Sequence, residues 1–119
     1  MTVKNYSELI AWQRAMDLAE LAFRTTDSFP LQERYGLARQ VRDAAVSVPS
    51  NIAEGQGRRS TKEFLHHLSI AHGSVRELET QAILARRLGF VEATSAAHFL
   101  DLAGEVGRLL NGLYNSLRP

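Results

Sequence analysis

Apolar residues recur every three or four positions along almost the whole chain, which is the spacing of one face of an α-helix. The first run ends at Phe29-Pro30, because the residue before a proline is biased away from helix. Ser60 and Glu63 have the spacing of a capping box, and Gly89 suits a left-handed helix end. The pattern predicts four helices, over about 7–28, 31–55, 61–88 and 93–117.

The helices are joined by short connections, which favour antiparallel neighbours. The sequence therefore predicts an all-α, up-down-up-down antiparallel four-helix bundle that forms a single domain over 1–119. In the first helix, Ser7 is the expected N-cap, and the expected buried stripe is Leu9, Trp12, Met16, Ala19 and Phe23. In the third helix it is Phe64, Leu68, Ala71, Val75, Leu78, Ala82 and Ala85.

The last helix carries two adjacent apolar stripes rather than one. The first comprises Phe99, Leu102, Val106, Leu109 and Leu113, and the second Leu100, Ala103, Gly107, Leu110, Tyr114 and Leu117. A face this wide predicts a second packed surface, hence a homo-oligomer with a candidate interface at Leu110, Tyr114 and Leu117. The alternative is that the helices of the same bundle bury both stripes.

A polar segment interrupts the second helix, and it contains a proline that a helix interior normally excludes. We expect a kink near 45–49, with Gly55 and Gly57 ending the helix. The segment and nearby polar positions form a structural polar motif, namely Arg42, Ser47, Pro49, Asn51, Glu54, Gly55, Ser74 and Glu77. In the structural interpretation, Asn51 and the serines satisfy carbonyls freed by the proline and a glutamate pairs with an arginine. The alternatives are an acid/base or metal site built on paired carboxylates, and a ligand or interface role.

Composition narrows the class of protein. Apolar residues make up 45% and charged residues 23% of the chain, and there is no cysteine, so disulfides and thiolate metal sites are excluded. The first residues lack the apolar run of a signal peptide, and no run reaches the roughly 20 residues of a membrane span. We therefore expect a cytoplasmic protein with no membrane partner.

Charge is unevenly distributed although the net charge is only +1. The segment 34–62 holds six basic and two acidic residues. Its glycine-rich connection leads into a helix N-terminus, where an anion can bind. Arg39, Arg58, Arg59 and Lys62 are the candidate nucleic-acid or anion-binding residues. The alternatives are that the arginines pair with neighbouring acids and that the connection is a plain turn.

The sequence contains no convincing pattern of catalytic or metal-binding residues. Glu63 and His66 have the spacing found in di-iron bundles, but no second copy of the pattern exists. No serine lies in a strand-turn-helix elbow, and cysteine is absent. We expect no enzyme activity, no cofactor, no metal and no catalytic residues.

Several stretches resemble one family: 37–55, Phe64 with 68–79, 9–13 and 109–113. Together they are similar to the four-helix-bundle proteins encoded in 23S ribosomal RNA intervening sequences. A related group is the accessory variability protein of diversity-generating retroelements. The resemblance implies an up-down bundle that assembles into a closed ring, a homopentamer being the expected arrangement. The retroelement relatives imply a non-enzymatic scaffold that binds RNA and a protein partner through basic surface.

The leading hypothesis is thus a non-enzymatic, ring-forming helical scaffold whose partner is structured RNA or a nucleic-acid-associated protein. One alternative is a small-ligand or metal-binding bundle that uses Asn51, Glu54 and Glu77. Another is a purely structural oligomer whose partner is a protein.

Overall fold

The computed structural model describes residues 5–119 and places four long helices side by side. They are α1 (Ile10–Thr26), α2 (Leu37–Gln56), α3 (Thr61–Arg87) and α4 (Ala93–Leu117), with short 3₁₀ turns at Tyr6–Glu8 and Leu31–Glu33. Contacts join α1 to α2, α2 to α3, α3 to α4 and α4 back to α1, and within residues 5–119 none cross the diagonals. The molecule measures 44 × 24 × 19 Å. The predicted all-α, up-down-up-down four-helix bundle is confirmed.

The first two helices begin later than the sequence predicts, because 3₁₀ turns precede both. Ser7 does not cap α1; the Asn5 side chain accepts a hydrogen bond from the Ser7 amide at 2.9 Å and caps the 3₁₀ turn instead. The helix expected from residue 31 begins at Leu37, whose amide donates to the Glu33 carboxylate at 3.2 Å.

Both ends of α3 have the predicted local chemistry. The Glu63 amide donates to Ser60 Oγ at 3.1 Å, and Ser60 Oγ contacts Glu63 Oε2 at 3.1 Å. At the other end Gly89 has φ +77°, while the amides of Gly89 and Phe90 donate to the carbonyls of Arg86 and Ala85. This pair of bonds is a Schellman motif, which closes the helix and requires the left-handed conformation that glycine tolerates.

The predicted stripe of α1 is only partly used in the core: Leu9 is buried and Trp12 and Ala19 pack against the core, but the most buried positions lie on a neighbouring, alanine-rich face. Ala15, Leu18 and Ala22 are fully buried, whereas Met16 and Phe23 are exposed. The buried face is thus rotated from the bulky stripe toward the alanines. Alanine favours helix and lets backbones approach closely. A stripe of buried alanines is therefore easily missed when the core face is predicted from bulky apolar residues.

The wide apolar face of α4 is mostly used inside the bundle. Leu110 is only 1% exposed and lies in the core, so it has no surface to offer a second copy. Tyr114 and Leu117 are half-buried and pack against the same core. The prediction of Leu110 as an interface residue is therefore wrong, because its side chain is buried in the bundle core, whereas Tyr114 and Leu117 keep part of their surface exposed. None of the helices within residues 5–119 has the length and apolar content needed to cross a membrane.

One ion pair ties α1 to α4. Arg14 Nε and Nη2 donate to the two Glu105 carboxylate oxygens at 2.7 and 3.0 Å, a bidentate geometry. The hydrogen bond from Arg14 holds the pKa of Glu105 below its usual 4.5. Because the pKa of Glu105 is lower in the folded than in the unfolded protein, its ionised form stabilises the fold at any pH above the unfolded-state pKa. This stabilisation is lost as the pH falls through the pKa of the folded state.

We expect Glu105→Gln to lower stability at neutral pH, and the difference from the native protein to shrink in acid below about pH 4.5. Urea unfolding at several pH values measures it. Glu20→Gln is the matched control, because Glu20 is exposed on α1 and makes no ion pair within the described residues. An equal loss at all pH values would contradict the assignment of the effect to Glu105 ionisation.

Candidate functional site

Three basic residues meet at the turn between α2 and α3. Arg58 and Arg59 follow the end of α2, and Lys62 lies in the first turn of α3; all three are exposed. We call them the basic turn. Backbone amides at a helix N-terminus attract anions, but the Ser60 side chain already satisfies one of them here. The chemistry available is therefore mainly the exposed cationic side chains.

Arg39 does not belong to this cluster. It lies in the first turn of α2, about 26 Å from Gln56 at the helical rise of ~1.5 Å per residue. Its guanidinium sits 3.8 Å from the Asp43 carboxylate. The structure therefore brings together three of the four candidate anion-binding residues and leaves Arg39 near the other end of the bundle.

Arg58 is already paired with a carboxylate of its own helix. Arg58 Nη2 donates to Glu54 Oε2, and this bond holds the pKa of Glu54 below its usual value and raises that of Arg58. Both side chains are about half exposed, so solvent screens the pair. An incoming phosphate would compete with Glu54 for Arg58, while Arg59 and Lys62 make no ion pair within residues 5–119.

A chain of polar side chains crosses from α2 to α3. Asn51 Nδ2 donates to the Ser47 carbonyl at 2.9 Å and to Ser47 Oγ at 3.0 Å. The hydroxyls of Ser47 and Ser74 lie 2.9 Å apart, and Asn51 Oδ1 lies 3.0 Å from His67 Nδ1. The side-chain NH₂ of Asn51 faces Ser47, so the side-chain oxygen of Asn51 faces the His67 ring. This oxygen can only accept a hydrogen bond, so His67 Nδ1 carries the proton. We call Ser47, Asn51, His67 and Ser74 the polar network.

Glu54 links the polar network to the basic turn. Its Oε2 lies 3.7 Å from His67 Nε2 in addition to its bond with Arg58. His67 is not among the site residues predicted from the sequence, although its side chain is only 13% exposed and lies between Asn51 and Glu54. The available signal was its position seven residues before Ser74, which puts both residues on nearly the same face of α3.

Two members of the predicted polar motif lie elsewhere. Arg42 faces α1, where Nε donates to Thr26 Oγ1 at 2.8 Å and Nη2 to Asp27 Oδ1 at 2.9 Å. Glu77 is exposed and lines a groove between α2 and α3. Arg42 and Ser47 are five positions apart, which turns their side chains about 140° from each other on a helix.

Pro49 and Gly55 both lie inside α2, buried against neighbouring helices. The helix continues through Pro49. Asn51 bonds to the carbonyl of Ser47, not to that of Ala45, the carbonyl that the missing proline amide leaves free; the predicted reason for the asparagine is therefore wrong.

Of the two glycines predicted to end α2, Gly57 is the C-cap residue, whereas Gly55 lies inside the helix. A Cβ added there would stand 2.7 Å from His67 Cβ and 3.0 Å from Phe64 Cδ1. Glycine is needed at this position for close approach to α3, and α2 ends instead at Gln56.

The polar network offers few free groups to a ligand. Both polar atoms of the Asn51 amide and both serine hydroxyls have protein partners. Among residues 5–119, no group of three or more histidine, aspartate or glutamate side chains is arranged to hold a metal ion. The polar network therefore joins α2 to α3 through hydrogen bonds between their side chains.

Comparison with known proteins places the chain in a family. The family model described as 23S rRNA-intervening sequence protein matches residues 7–112. The fold is shared with the crystal structure of a protein of unknown function from the S23 ribosomal protein family of Bacteroides thetaiotaomicron. The two are 18% identical, with a TM-score of 0.81 over 89% of this chain and 96% of that one. No curated protein is significantly similar in sequence. The chain therefore belongs to the 23S rRNA-intervening sequence protein family.

Proposed function

We propose that this protein is a non-enzymatic, cytoplasmic helical scaffold that assembles into a ring and binds structured RNA through the basic turn. The observation that carries the proposal is the exposure of Arg58, Arg59 and Lys62 within five residues at one end of the bundle. Arginine and lysine at this density suit the phosphate backbone, which dominates nucleic-acid affinity. The resemblance to retroelement accessory proteins points to the same class of partner.

A scaffold role accords with the way the interior polar groups are used. The donors and acceptors of the polar network form hydrogen bonds with one another, and these bonds join α2 to α3. This arrangement favours structure over the small-ligand and metal-site alternatives. An enzyme would instead need groups left free to meet a substrate.

Assembly would raise the affinity of a weakly charged subunit. One copy has a net charge of only +1, and three basic side chains bind RNA weakly by themselves. A ring repeats the basic turn once per subunit, so simultaneous contacts multiply the affinity without any new contact type. The resemblance implies five copies.

The RNA claim is tested by binding structured RNA across a salt series. We expect affinity to fall steeply with salt, and Arg58→Glu/Arg59→Glu to lower it by about 100-fold or more while leaving assembly intact. The slope of log K against log salt should drop by about 2 for each subunit whose basic turn contacts the RNA.

The matched control is Arg86→Glu/Arg87→Glu, which reverses an adjacent, exposed arginine pair at the far end of α3. RNA binding that responds equally to both double variants would locate the contact outside the basic turn. Binding that is absent at low salt, or indifferent to salt, would remove the RNA claim. The protein would then be a purely structural oligomer.

A further inference from the structure

The connection between α1 and α2 presents unusual side chains to solvent. Leu31 is 79% and Tyr35 80% exposed, more than any other large apolar residue in the part of the chain described. Arg34 lies between them, exposed and without an ion pair to any of residues 5–119. Tyrosine and arginine are among the residue types that most often anchor protein interfaces. We call Leu31, Arg34 and Tyr35 the knob.

A groove of about 440 Å³ runs along the outside of the α2–α3 pair. Leu37 and the exposed Leu84 give it apolar walls, and nothing lies within 4 Å of where a Cβ would stand at Gly73, so the middle is open. Glu77 lines it and makes no ion pair within the described residues. Arg76 beside it is occupied, because its Nη1 donates to Glu79 at 2.8 Å.

The groove also holds an unsatisfied polar atom. Gln81 lines it, is only 8% exposed, and its Oε1 is buried without a hydrogen-bond partner in the described structure. A buried acceptor with no donor destabilises a fold unless something else supplies the bond. The groove thus lacks one hydrogen-bond donor and one cation, and the knob carries both a free hydroxyl and a free guanidinium.

The knob and the groove are placed for copies to join side by side. Both lie at the end of the bundle where α1 ends and α2 begins. Leu31 and Arg34 line a cleft with Ala38 and Arg42 on the α1–α2 side, whereas the groove lies on the adjacent α2–α3 side. Adjacent sides of a square bundle are about 90° apart, close to the angle of about 90° to 108° between the two interfaces of a subunit in a ring of four or five.

We infer that the knob of one copy seats in the α2–α3 groove of the next copy. Arg34 pairs with Glu77 across the interface. Tyr35 covers Leu37 and Leu84, and its hydroxyl donates to Gln81 Oε1 after the carboxamide turns toward the groove. The contact is head-to-tail, so it repeats around a ring and leaves the basic turn free at the opposite end. The inference rests on the ring-forming part of the proposed function and names the surfaces that form the ring.

Charge reversal tests the Arg34–Glu77 contact in the full chain without RNA. We expect Arg34→Glu and Glu77→Arg each to raise the subunit dissociation constant by about tenfold or more, measured by light scattering and sedimentation over a concentration series. The double variant Arg34→Glu/Glu77→Arg should restore assembly, because it re-forms the pair with its charges exchanged. Arg108→Glu is the control: it makes the same charge change on exposed α4 and should leave the mass unchanged.

The hydroxyl and the ring of Tyr35 are separable. Tyr35→Phe should weaken assembly by a few-fold, and Tyr35→Ser by about tenfold or more. Circular dichroism on each variant shows whether the helices remain folded, and recovery in the double charge variant excludes misfolding as the cause of loss.

The outcomes distinguish this interface from the wider proposal. A multimer that tolerates both single charge reversals, or is lost in both without recovery in the double variant, overturns the inference while the ring remains. A native protein that is monomeric removes the ring itself. Knob variants that keep the native mass but bind RNA less tightly would show that the knob contacts RNA instead, which also overturns the inference.

Discussion

Replacing Gly55 by alanine is expected to lower the free energy of unfolding by about 2 kcal/mol. The added Cβ would approach His67 Cβ to 2.7 Å and the Phe64 carbonyl oxygen to 3.3 Å, so α2 and α3 must separate. Overpacking of this kind costs about 1–3 kcal/mol, and the better helix propensity of alanine offsets no more than about 1 kcal/mol of it. Urea unfolding monitored by circular dichroism, at one protein concentration, measures the change.

Gly112→Ala is the matched control for Gly55→Ala. Gly112 also lies inside a helix, but a Cβ there meets nothing within 4 Å. The same chemical change should therefore stabilise the protein by up to about 1 kcal/mol. Equal effects at the two positions would show that close approach to α3 is not the reason for Gly55.

The second large effect is expected at Asn51. Asn51→Ala removes the hydrogen bonds to Ser47 and leaves His67 Nδ1 half-buried without its acceptor. Losing one partner of a buried polar pair costs about 1–3 kcal/mol, and we expect about 2 kcal/mol for this variant. Because the network joins two helices, the loss should appear as reduced global stability, again by urea unfolding.

The control for Asn51→Ala is Asn115→Ala on the exposed face of α4, for which we expect a change within about 0.5 kcal/mol.

The stability of Asn51→Ala also separates the two interpretations of the polar motif. Functional groups held in a site are often kept at the expense of stability, so their removal can stabilise a protein. A more stable Asn51→Ala variant would favour a ligand site over a structural bridge.

Local features of the fold follow from sequence because their rules act within a few residues. The Ser60 N-cap of α3 and the left-handed Gly89 were predicted correctly, since each depends on its own helix turn, although the Glu63 carboxylate bonds the Ser60 hydroxyl instead of completing the capping box at the Ser60 amide. Helix phase also placed Ser47 and Asn51 together, four positions apart on α2. The starts of α1 and α2 were predicted incorrectly, because a 3₁₀ turn precedes each helix, at Tyr6–Glu8 and at Leu31–Glu33.

The errors in the site share one cause, because each depends on which neighbour a helix meets. Gly55 suits a helix end and a close approach equally well, and only α3 decides between them. Arg42 was grouped with the serines although α1 supplies its partners. Helix phase puts His67 on the same face of α3 as Ser74, but only the packing of α3 against α2 shows that Asn51 is its partner. Sequence periodicity predicts the direction in which a side chain points around the axis of its helix. It does not predict which residue of a neighbouring helix that side chain contacts.

The up-down order of the helices sets where attached groups would emerge. Helix α1 begins, and α4 finishes, at the end of the bundle that carries the basic turn. Any segment joined ahead of α1 or behind α4 would therefore leave the bundle at the end that carries Arg58 and Arg59, whereas the Leu31–Tyr35 surface lies at the opposite end. A histidine tag adds cationic groups near those arginines in mild acid, so tag-free protein is the appropriate material for measuring polyanion affinity.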